Sequence, residues 1–173
     1  TETTVNGSST KIRETRYYYE NGSLGYVDNG NLTKQEMWKT GSTYIDIEKT
    51  YNGFGLVTQE KDPRYKATNF TYDSWSLYSA TSTNALSQST SYTYDYSSGK
   101  VVTRKDPNGR IFSLTLDGLD RIIEETQPDL AAPTSLITKS TTSYTDAYNG
   151  SSALRTNYLD SSTTTLAYTY LDG

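Results

Sequence analysis

Residues 92–126, YTYDYSSGKVVTRKDPNGRIFSLTLDGLDRIIEET, decide the fold. Tyr rings alternate with small polar residues at the start of this stretch, which is typical of a strand with every second side chain on one face. Residues 97–100 form a predicted turn and residues 101–105 the returning strand. Residues 106–109, Asp-Pro-Asn-Gly, predict a second turn, because Pro fixes φ and Asn-Gly supplies left-handed positions. This rhythm indicates successive β-hairpins.

The same pattern recurs about every 22 residues along the chain. The Asp-Pro turn follows its anchor Tyr by 11 residues at Asp62 and by 12 residues at Asp106. The anchors themselves are 21, 22 and 22 residues apart, at Tyr51, Tyr72, Tyr94 and Leu116. Two independent landmarks that keep phase predict a repeat array. Equal spacing also predicts that the anchors share one face of a sheet, since a slip of one residue would reverse a side chain.

The residues that define the repeat are the anchors and the turn formers beside them, and we assign them a structural role. They are Tyr51, Gly53, Asp62, Pro63, Tyr72, Asp73, Tyr94, Asp95, Gly99, Asp106, Pro107, Gly109, Asp117, Gly118 and Arg121. We expect one continuous array over residues 1–173, clearest over 51–126. The sequence around Pro128 and Pro133 predicts an inserted loop at about 127–137.

The composition favours an all-β protein with Tyr as the main apolar material. The chain has 17 Tyr and 2 Trp among 173 residues, and it is rich in Thr. Thr and Tyr suit pleated, half-buried surfaces, so we expect less than about 10% helix and a majority of antiparallel strand. Aromatic rings supply the area that aliphatic side chains usually supply, since each buries on the order of 150–250 Å².

Several classes of function are disfavoured by the composition. The chain has no Cys and no His, which excludes disulfides, thiolate zinc sites and thiol catalysis and removes the commonest general base. A pI near 4.8 argues against nucleic acid as a partner, since that would require a basic face. No apolar run is long enough for a membrane span. We expect no enzymatic activity, no cofactor and no metal.

The stretch from Tyr94 through Asp106-Pro107-Asn108-Gly109 to Ile122 resembles the YD repeat of Rhs proteins, insecticidal toxin complex B and C components, and teneurins. The resemblance is strong over 92–129 and weaker over 51–78. Lys100 and Leu56 stand where the family usually has Arg after Gly, and Asp120 interrupts the Leu-Gly-Arg of the third unit. The resemblance implies β-hairpins wound into a curved strip, which in toxins closes as a hollow shell around a cargo polypeptide.

Other motifs admit a functional and a structural interpretation, and we favour the structural one each time. Asp62-Pro63 and Asp106-Pro107 are similar to the Asp-Pro-x-Gly-Leu cleavage motif of Rhs cores, but their context predicts turns. Residues 28–31, Asp-Asn-Gly-Asn, resemble part of a calcium loop without its 12-residue frame. Carboxylate pairs could act as glycosidase acids, and exposed Trp could stack on sugars. These candidates are Glu124 with Glu125, Asp117 with Asp120, and Trp38 and Trp75.

Five Asn-x-Ser/Thr sequons also occur, and hairpin-turn chemistry explains most of them. They lie at Asn6, Asn21, Asn31, Asn69 and Asn149.

Two functions remain open at the level of sequence. The first is a segment of a shell in a large secreted bacterial protein, with the rest of its own polypeptide, neighbouring subunits or an enclosed toxin as partners. The second is an extracellular fibre, sheath or adhesin that contacts a cell-surface carbohydrate or protein. Both predict a secreted or cell-surface location. Neither end resembles a cap of the array, and residues 170–173 stop midway through a turn, so we expect a fragment that needs a neighbour at its edges.

Overall fold

The fold is all-β and antiparallel, in a computed structural model that describes residues 2–5, 8–129, 131–132, 135–147, 150–159 and 163–171. These residues form fifteen strands and no helix, which confirms the predicted fold class. The strands are β1 (Glu2–Val5), β2 (Ser8–Lys11), β3 (Thr15–Tyr19), β4 (Leu32–Thr40), β5 (Thr43–Tyr51), β6 (Val57–Lys61), β7 (Ala67–Tyr72), β8 (Ser79–Thr83), β9 (Ser89–Tyr94), β10 (Val101–Lys105), β11 (Ile111–Leu116), β12 (Ile122–Pro128), β13 (Leu136–Thr145), β14 (Ser151–Tyr158) and β15 (Thr164–Leu171).

The chain divides into two compact units, Thr1–Gln88 and Ser89–Gly173. In the first unit, β1 and β2 form a separate hairpin, and β3 to β8 pair in sequence order. In the second unit, β9 to β15 also pair in sequence order. Each unit is therefore a meander built from consecutive hairpins. The connection between β12 and β13 covers residues 129–135, where the sequence predicted an inserted loop over about 127–137.

Strand pairing assigns the side chains of the central strands to two faces, because directly paired antiparallel residues point to the same side. In the first unit, Thr50 pairs with Gln59 and Gln59 with Asn69. In the second unit, Thr93 pairs with Thr103 and Thr103 with Ser113. We call this side of each unit its threonine face. The opposite side carries the anchors and is called the anchor face.

Neither unit has an apolar core of the usual kind. None of the large apolar side chains described by the structure is fully buried, and the buried polar residues are Thr33 and Ser140. Both faces of each meander therefore remain open to solvent over much of their area. Strand ladders, capped turns and polar side-chain networks do much of the work that packing does in ordinary domains.

Candidate functional site

The most regular feature of the molecule is a series of turns capped by Asn or Asp. The turns begin at residues 52, 62, 73, 84, 95, 106 and 117, in steps of 10 or 11 residues. In five of them the first residue closes a five-residue loop, as where the Asp106 N–H donates to the Arg110 carbonyl at 2.9 Å. Its side-chain oxygen then accepts two backbone N–H groups; Asp106 Oδ1 accepts those of Asn108 and Arg110, both at 2.9 Å. Asn52, Asp62, Asn84 and Asp117 repeat this geometry.

The fourth residue of each five-residue turn takes a left-handed backbone conformation. Gly fills this place at Gly55 and Gly109, with φ of 75° and 82°. The place is taken instead by Tyr65, Ser87 and Asp120, with φ between 58° and 60°. An L-residue in this region costs about 1–2 kcal/mol. The predicted Gly53 and Gly118 lie earlier in their turns, at negative φ, so the sequence located the turns but not every position that favours glycine.

The anchors occupy equivalent positions at the ends of their strands. Tyr51, Tyr72, Tyr94 and Leu116 each pair with the first residue of the following strand, next to a shift of register. Thr50 and Thr71 lie on the threonine face of the first unit, so the anchors that follow them lie on its anchor face. The same holds for Thr93 and Thr115 in the second unit.

The anchor hydroxyls bridge to the preceding strand. The Tyr51 hydroxyl donates to the Leu32 carbonyl at 2.7 Å, and the Tyr72 hydroxyl donates to the Val57 carbonyl at 2.8 Å. Tyr144 repeats this contact with Ile122 in the second unit, at 3.2 Å. The accepting carbonyls belong to the first residues of β4, β6 and β12. Burial raises the pKa of Tyr51, so the phenol stays protonated as a donor.

The threonine face of the first unit carries a network of charges and rings across β3, β4 and β5. Glu14 accepts hydrogen bonds from Lys11, from the Tyr44 hydroxyl at 2.6 Å and from Arg16 Nε at 2.6 Å. These three donors lower the pKa of Glu14 to about 2. The Arg16 guanidinium lies 4.3 Å from the centre of the Tyr44 ring. Every charge in this group has a partner, so the arrangement is that of a stabilising network.

A second part of the network surrounds Glu36. The Tyr18 hydroxyl donates to Glu36 Oε2 at 2.9 Å, and Lys34 Nζ lies 2.5 Å from Oε1. The Lys34 hydrogen bond is the main reason why the pKa of Glu36 is lowered. Lys34 also lies 3.6 Å from Asp46 Oδ2. The arrangement offers no carboxyl held protonated for acid catalysis.

Side chains link the turns of the second unit to one another. The Arg121 guanidinium donates to Asp117 at 2.8 Å and to both oxygens of Asp146, at 2.7 and 2.9 Å. It also lies 4.2 Å from the centre of the Tyr144 ring. Asp120 accepts a hydrogen bond from Ser97 at 3.2 Å. The predicted Arg121 therefore connects two turns.

The anchor face of the second unit holds a buried polar cluster beside an apolar groove. Ser140, 1% exposed, donates to Glu125 at 2.8 Å and accepts from Arg155 at 3.0 Å. The groove has a volume of about 240 Å³, and its lining includes Phe112, Leu114 and Glu125. Ser140 has no general base beside it, because Glu125 is also bound by Arg155.

The turn that begins at Asp95 stands apart because its carboxylate binds hydroxyls as well as the backbone. Asp95 Oδ1 accepts from Ser97 Oγ at 2.6 Å and from the backbone and side chain of Ser98, both at 2.8 Å. The Ser97 hydroxyl is the main reason why the pKa of Asp95 falls to about 2, with both Ser98 groups next.

The segment that resembled part of a calcium loop is a loop closed by Glu20. The Glu20 carboxylate accepts the backbone N–H groups of Asp28, Asn29 and Asn31, at 3.1, 3.1 and 2.7 Å. Burial tends to raise the pKa of Glu20, but these backbone donors together lower it. Among the residues that the structure describes, no group of three or more acidic side chains could hold a metal ion.

The carboxylate pairs do not converge on a common site. Glu124 accepts from Thr138 on the threonine face, whereas Glu125 belongs to the Ser140 cluster on the anchor face. Asp117 caps its own turn while Asp120 contacts Ser97. Neither pair has the open space between two carboxyls that glycoside hydrolysis requires.

The remaining candidates are distributed over the surface. Trp38 donates its indole N–H to the Gly41 carbonyl at 2.8 Å, and Trp75 is exposed at the tip of a turn. Asn21 donates its backbone N–H to Thr33, and Asn69 binds Gln59 on the threonine face. Asn31 donates to Glu20, as described above. Asn6 and Asn149 lie outside the described residues.

Sequence reasoning missed the turn at residues 84–88 and the capping role of Asn84. This turn has neither Gly nor Pro, so the usual turn signals are absent. One signal was available, because Asn84 stands 11 residues after Asp73 and 11 before Asp95. A search for Asn or Asp at this half-period would have found it.

Comparisons with known proteins show a likeness in fold. No family model matches the sequence, and no curated protein matches it significantly. A chain in the crystal structure of TcdB2-TccC3-Cdc42 matches with a TM-score of 0.58 and 15% identity over 88% of this chain. The present chain spans 8% of the length of that chain. The meander of hairpins is therefore a known architecture, found here as one stretch within a far longer polypeptide.

Proposed function

We propose that this chain is a structural, non-catalytic segment of a large secreted bacterial protein of the YD-repeat type. It forms part of a wall that encloses a toxin or another polypeptide. The observation that carries this proposal is a meander of capped hairpins without a buried apolar core among its described residues. Such a sheet suits a role as one layer of a wall, since a wall needs two extended faces and little thickness.

The contrast between the two faces supports an inside and an outside. In the second unit the anchor face presents the apolar groove, and the threonine face presents hydroxyls in register, such as Ser113 Oγ and Thr126 Oγ1 at 2.6 Å. In the first unit Ile45 and Tyr17 are exposed on the anchor face. We assign the anchor face to the interior, where an apolar or partly unfolded cargo would contact it.

The alternative function is an extracellular fibre, sheath or adhesin that contacts a cell-surface carbohydrate or protein. It is favoured by one observation, the large apolar side chains exposed at the tips of turns, such as Phe54 and Trp75. In a fibre both faces of the sheet would remain open to solvent. A wall leaves one face open.

Cysteine labelling in the secreted parent protein separates these functions, and the absence of native Cys from this chain simplifies the experiment. Leu114→Cys places a thiol on the anchor face, and Thr115→Cys places a matched thiol next to it on the threonine face. A wall predicts that a bulky maleimide labels only Thr115→Cys in the folded protein and both variants after denaturation. Labelling of both variants in the folded protein would favour the fibre. Absence of the labelled protein from the culture medium would contradict secretion.

A further inference from the structure

Loops and turns gather apolar side chains at one end of the strands in the first unit. We call this end the anchor rim; it consists of the loop 20–31 and the turns 52–56 and 73–78. Phe54 is 78% exposed and Trp75 is 73% exposed. The other large apolar side chains that are more than half exposed on this rim are Leu24, Tyr26, Val27 and Leu77. Apolar surface concentrated in this way marks an interaction site.

The anchor rim is acidic and has a regular pitch. Its three segments contain Glu20, Asp28 and Asp73, and they contain neither Lys nor Arg. Two strands separate successive turns on one rim, so the tips stand about 10 Å apart. Their backbone is held by the side-chain caps of Glu20, Asn52 and Asp73. The rim is thus a row of rigid apolar tips that carries negative charge.

The opposite end of the same strands is complementary in charge. We call it the far rim; it includes the turns 62–66 and 84–88. Arg64, with a side chain 85% exposed, and Lys66 project from the first of these turns, where Asp62 is the acidic residue. Lys39 lies beside the turn that joins β4 to β5. The far rim has the same pitch as the anchor rim, because the same strands set both.

A groove on the far rim fits an apolar tip. It lies between the turns 62–66 and 84–88 and has a volume of about 350 Å³. Its lining includes Arg64, Lys66, Ala67, Ala85 and Leu86. Small apolar side chains and cationic side chains together suit an aromatic ring, which packs on the former and attracts the latter.

We propose that the anchor rim of the first unit docks against the far rim of the same unit in a second copy of this chain, with Trp75 seated in the groove beside Arg64. Equal pitch lets tips and grooves interdigitate along the rims, and opposite charge orients the two copies. Trp and Arg are the residues that most often dominate such contacts. The proposal deepens the structural function proposed above and rests on it, since it names a partner for the rims of the sheet.

The contact joins two different surfaces, so it has a distinctive consequence. Each copy keeps one free anchor rim and one free far rim after it has bound a neighbour. Association is therefore head-to-tail and grows beyond a dimer. A bilayer is a poorer partner for the anchor rim, because its carboxylates would meet the negative surface of anionic lipids.

The test measures association of residues 1–173 by analytical ultracentrifugation over a concentration series. We expect species larger than dimers that weaken as salt is added. Trp75→Ser and the double variant Arg64→Glu/Lys66→Glu should each weaken association by about tenfold or more. Leu119→Ser removes a tip of similar exposure, 68%, from the second unit and should leave association unchanged. Phe54→Ser is a second rim variant, and circular dichroism identifies any variant that fails to fold.

Mixing the two defective variants gives the sharpest outcome. Trp75→Ser keeps an intact far rim and the double variant keeps an intact anchor rim, so the mixture should form dimers and nothing larger. A wild-type chain that stays monomeric overturns the proposal. So does association that survives both rim variants, which would indicate pairing through edge strands, or binding to zwitterionic vesicles that Trp75→Ser abolishes. The cysteine labelling of the parent protein is independent of these results, so the two proposals can fail separately.

Discussion

Replacing Asp106 by Ala should destabilise the second unit, whereas replacing it by Asn should not. Asp106 Oδ1 accepts two backbone N–H groups at 2.9 Å, and no salt bridge to Asp106 complicates the comparison among the contacts described. Each such hydrogen bond contributes about 0.5–1.5 kcal/mol, at the lower end where water competes. We therefore expect Asp106→Ala to lower the free energy of unfolding by about 1 kcal/mol, close to the value of a helix cap.

The Asn variant is a matched control because Asn52 and Asn84 already perform the same capping in their own turns. Thermal unfolding followed by far-UV circular dichroism measures both variants. For a unit of this size, about 1 kcal/mol corresponds to a decrease in the midpoint of roughly 4–8 °C. Equal stability of Asp106→Ala and the wild type, or an equal loss in both variants, would refute the capping argument.

Three further predictions concern the turns, the anchors and the carboxylates. Tyr65→Gly should be more stable than Tyr65→Ala by about 1 kcal/mol, because only Gly takes the φ of 58° without strain; urea denaturation measures the difference. Tyr51→Phe should cost about 1 kcal/mol through its lost hydrogen bond to a backbone carbonyl, whereas the same change at Tyr170, 82% exposed, should be neutral in the same assay. The pKa values of Glu14 and Asp95 are lowered to about 2 from 4.5 and 3.8, so the stability they contribute is present above those ordinary values and is lost as pH falls towards 2. Denaturant midpoints measured at decreasing pH should fall through this range, and a Gln or Asn replacement of each residue should flatten the fall.

The hairpin repeat is the part of the fold that the sequence predicts well. Alternating residues such as Tyr92, Tyr94 and Tyr96 give the period of a strand, and Asp106-Pro107 and Asn108-Gly109 identify a turn without any knowledge of tertiary contacts. These signals are local, so a single sequence contains them. They extend to the spacing of the anchors, because a repeat of constant length keeps its register.

The polar networks could not be predicted, because they depend on pairing between distant strands. Glu125, Ser140 and Arg155 meet only when β12, β13 and β14 adopt their observed register. The same is true of Tyr44, which reaches Glu14 across β4. Local propensity says nothing about which charged residues become neighbours. The division into two units likewise has no marker in composition at residues 88 and 89.

The use of Tyr in place of Leu at the anchors follows from the thinness of the sheet. A Leu side chain stabilises a fold mainly when it is removed from water, and among the described residues these meanders bury no large apolar side chain completely. A Tyr ring gains from partial burial and also carries a hydroxyl, which binds a carbonyl of the preceding strand at Tyr51, Tyr72 and Tyr144. Each such bond ties one hairpin to the previous one near a bulge, where the ladder is irregular. At Leu116, which has no hydroxyl, the neighbouring turn is tied instead by the ion pair between Arg121 and Asp146. Stability in such a sheet is therefore distributed among many links between neighbours, and covering one of its faces with a partner would add the apolar burial that the isolated meander lacks.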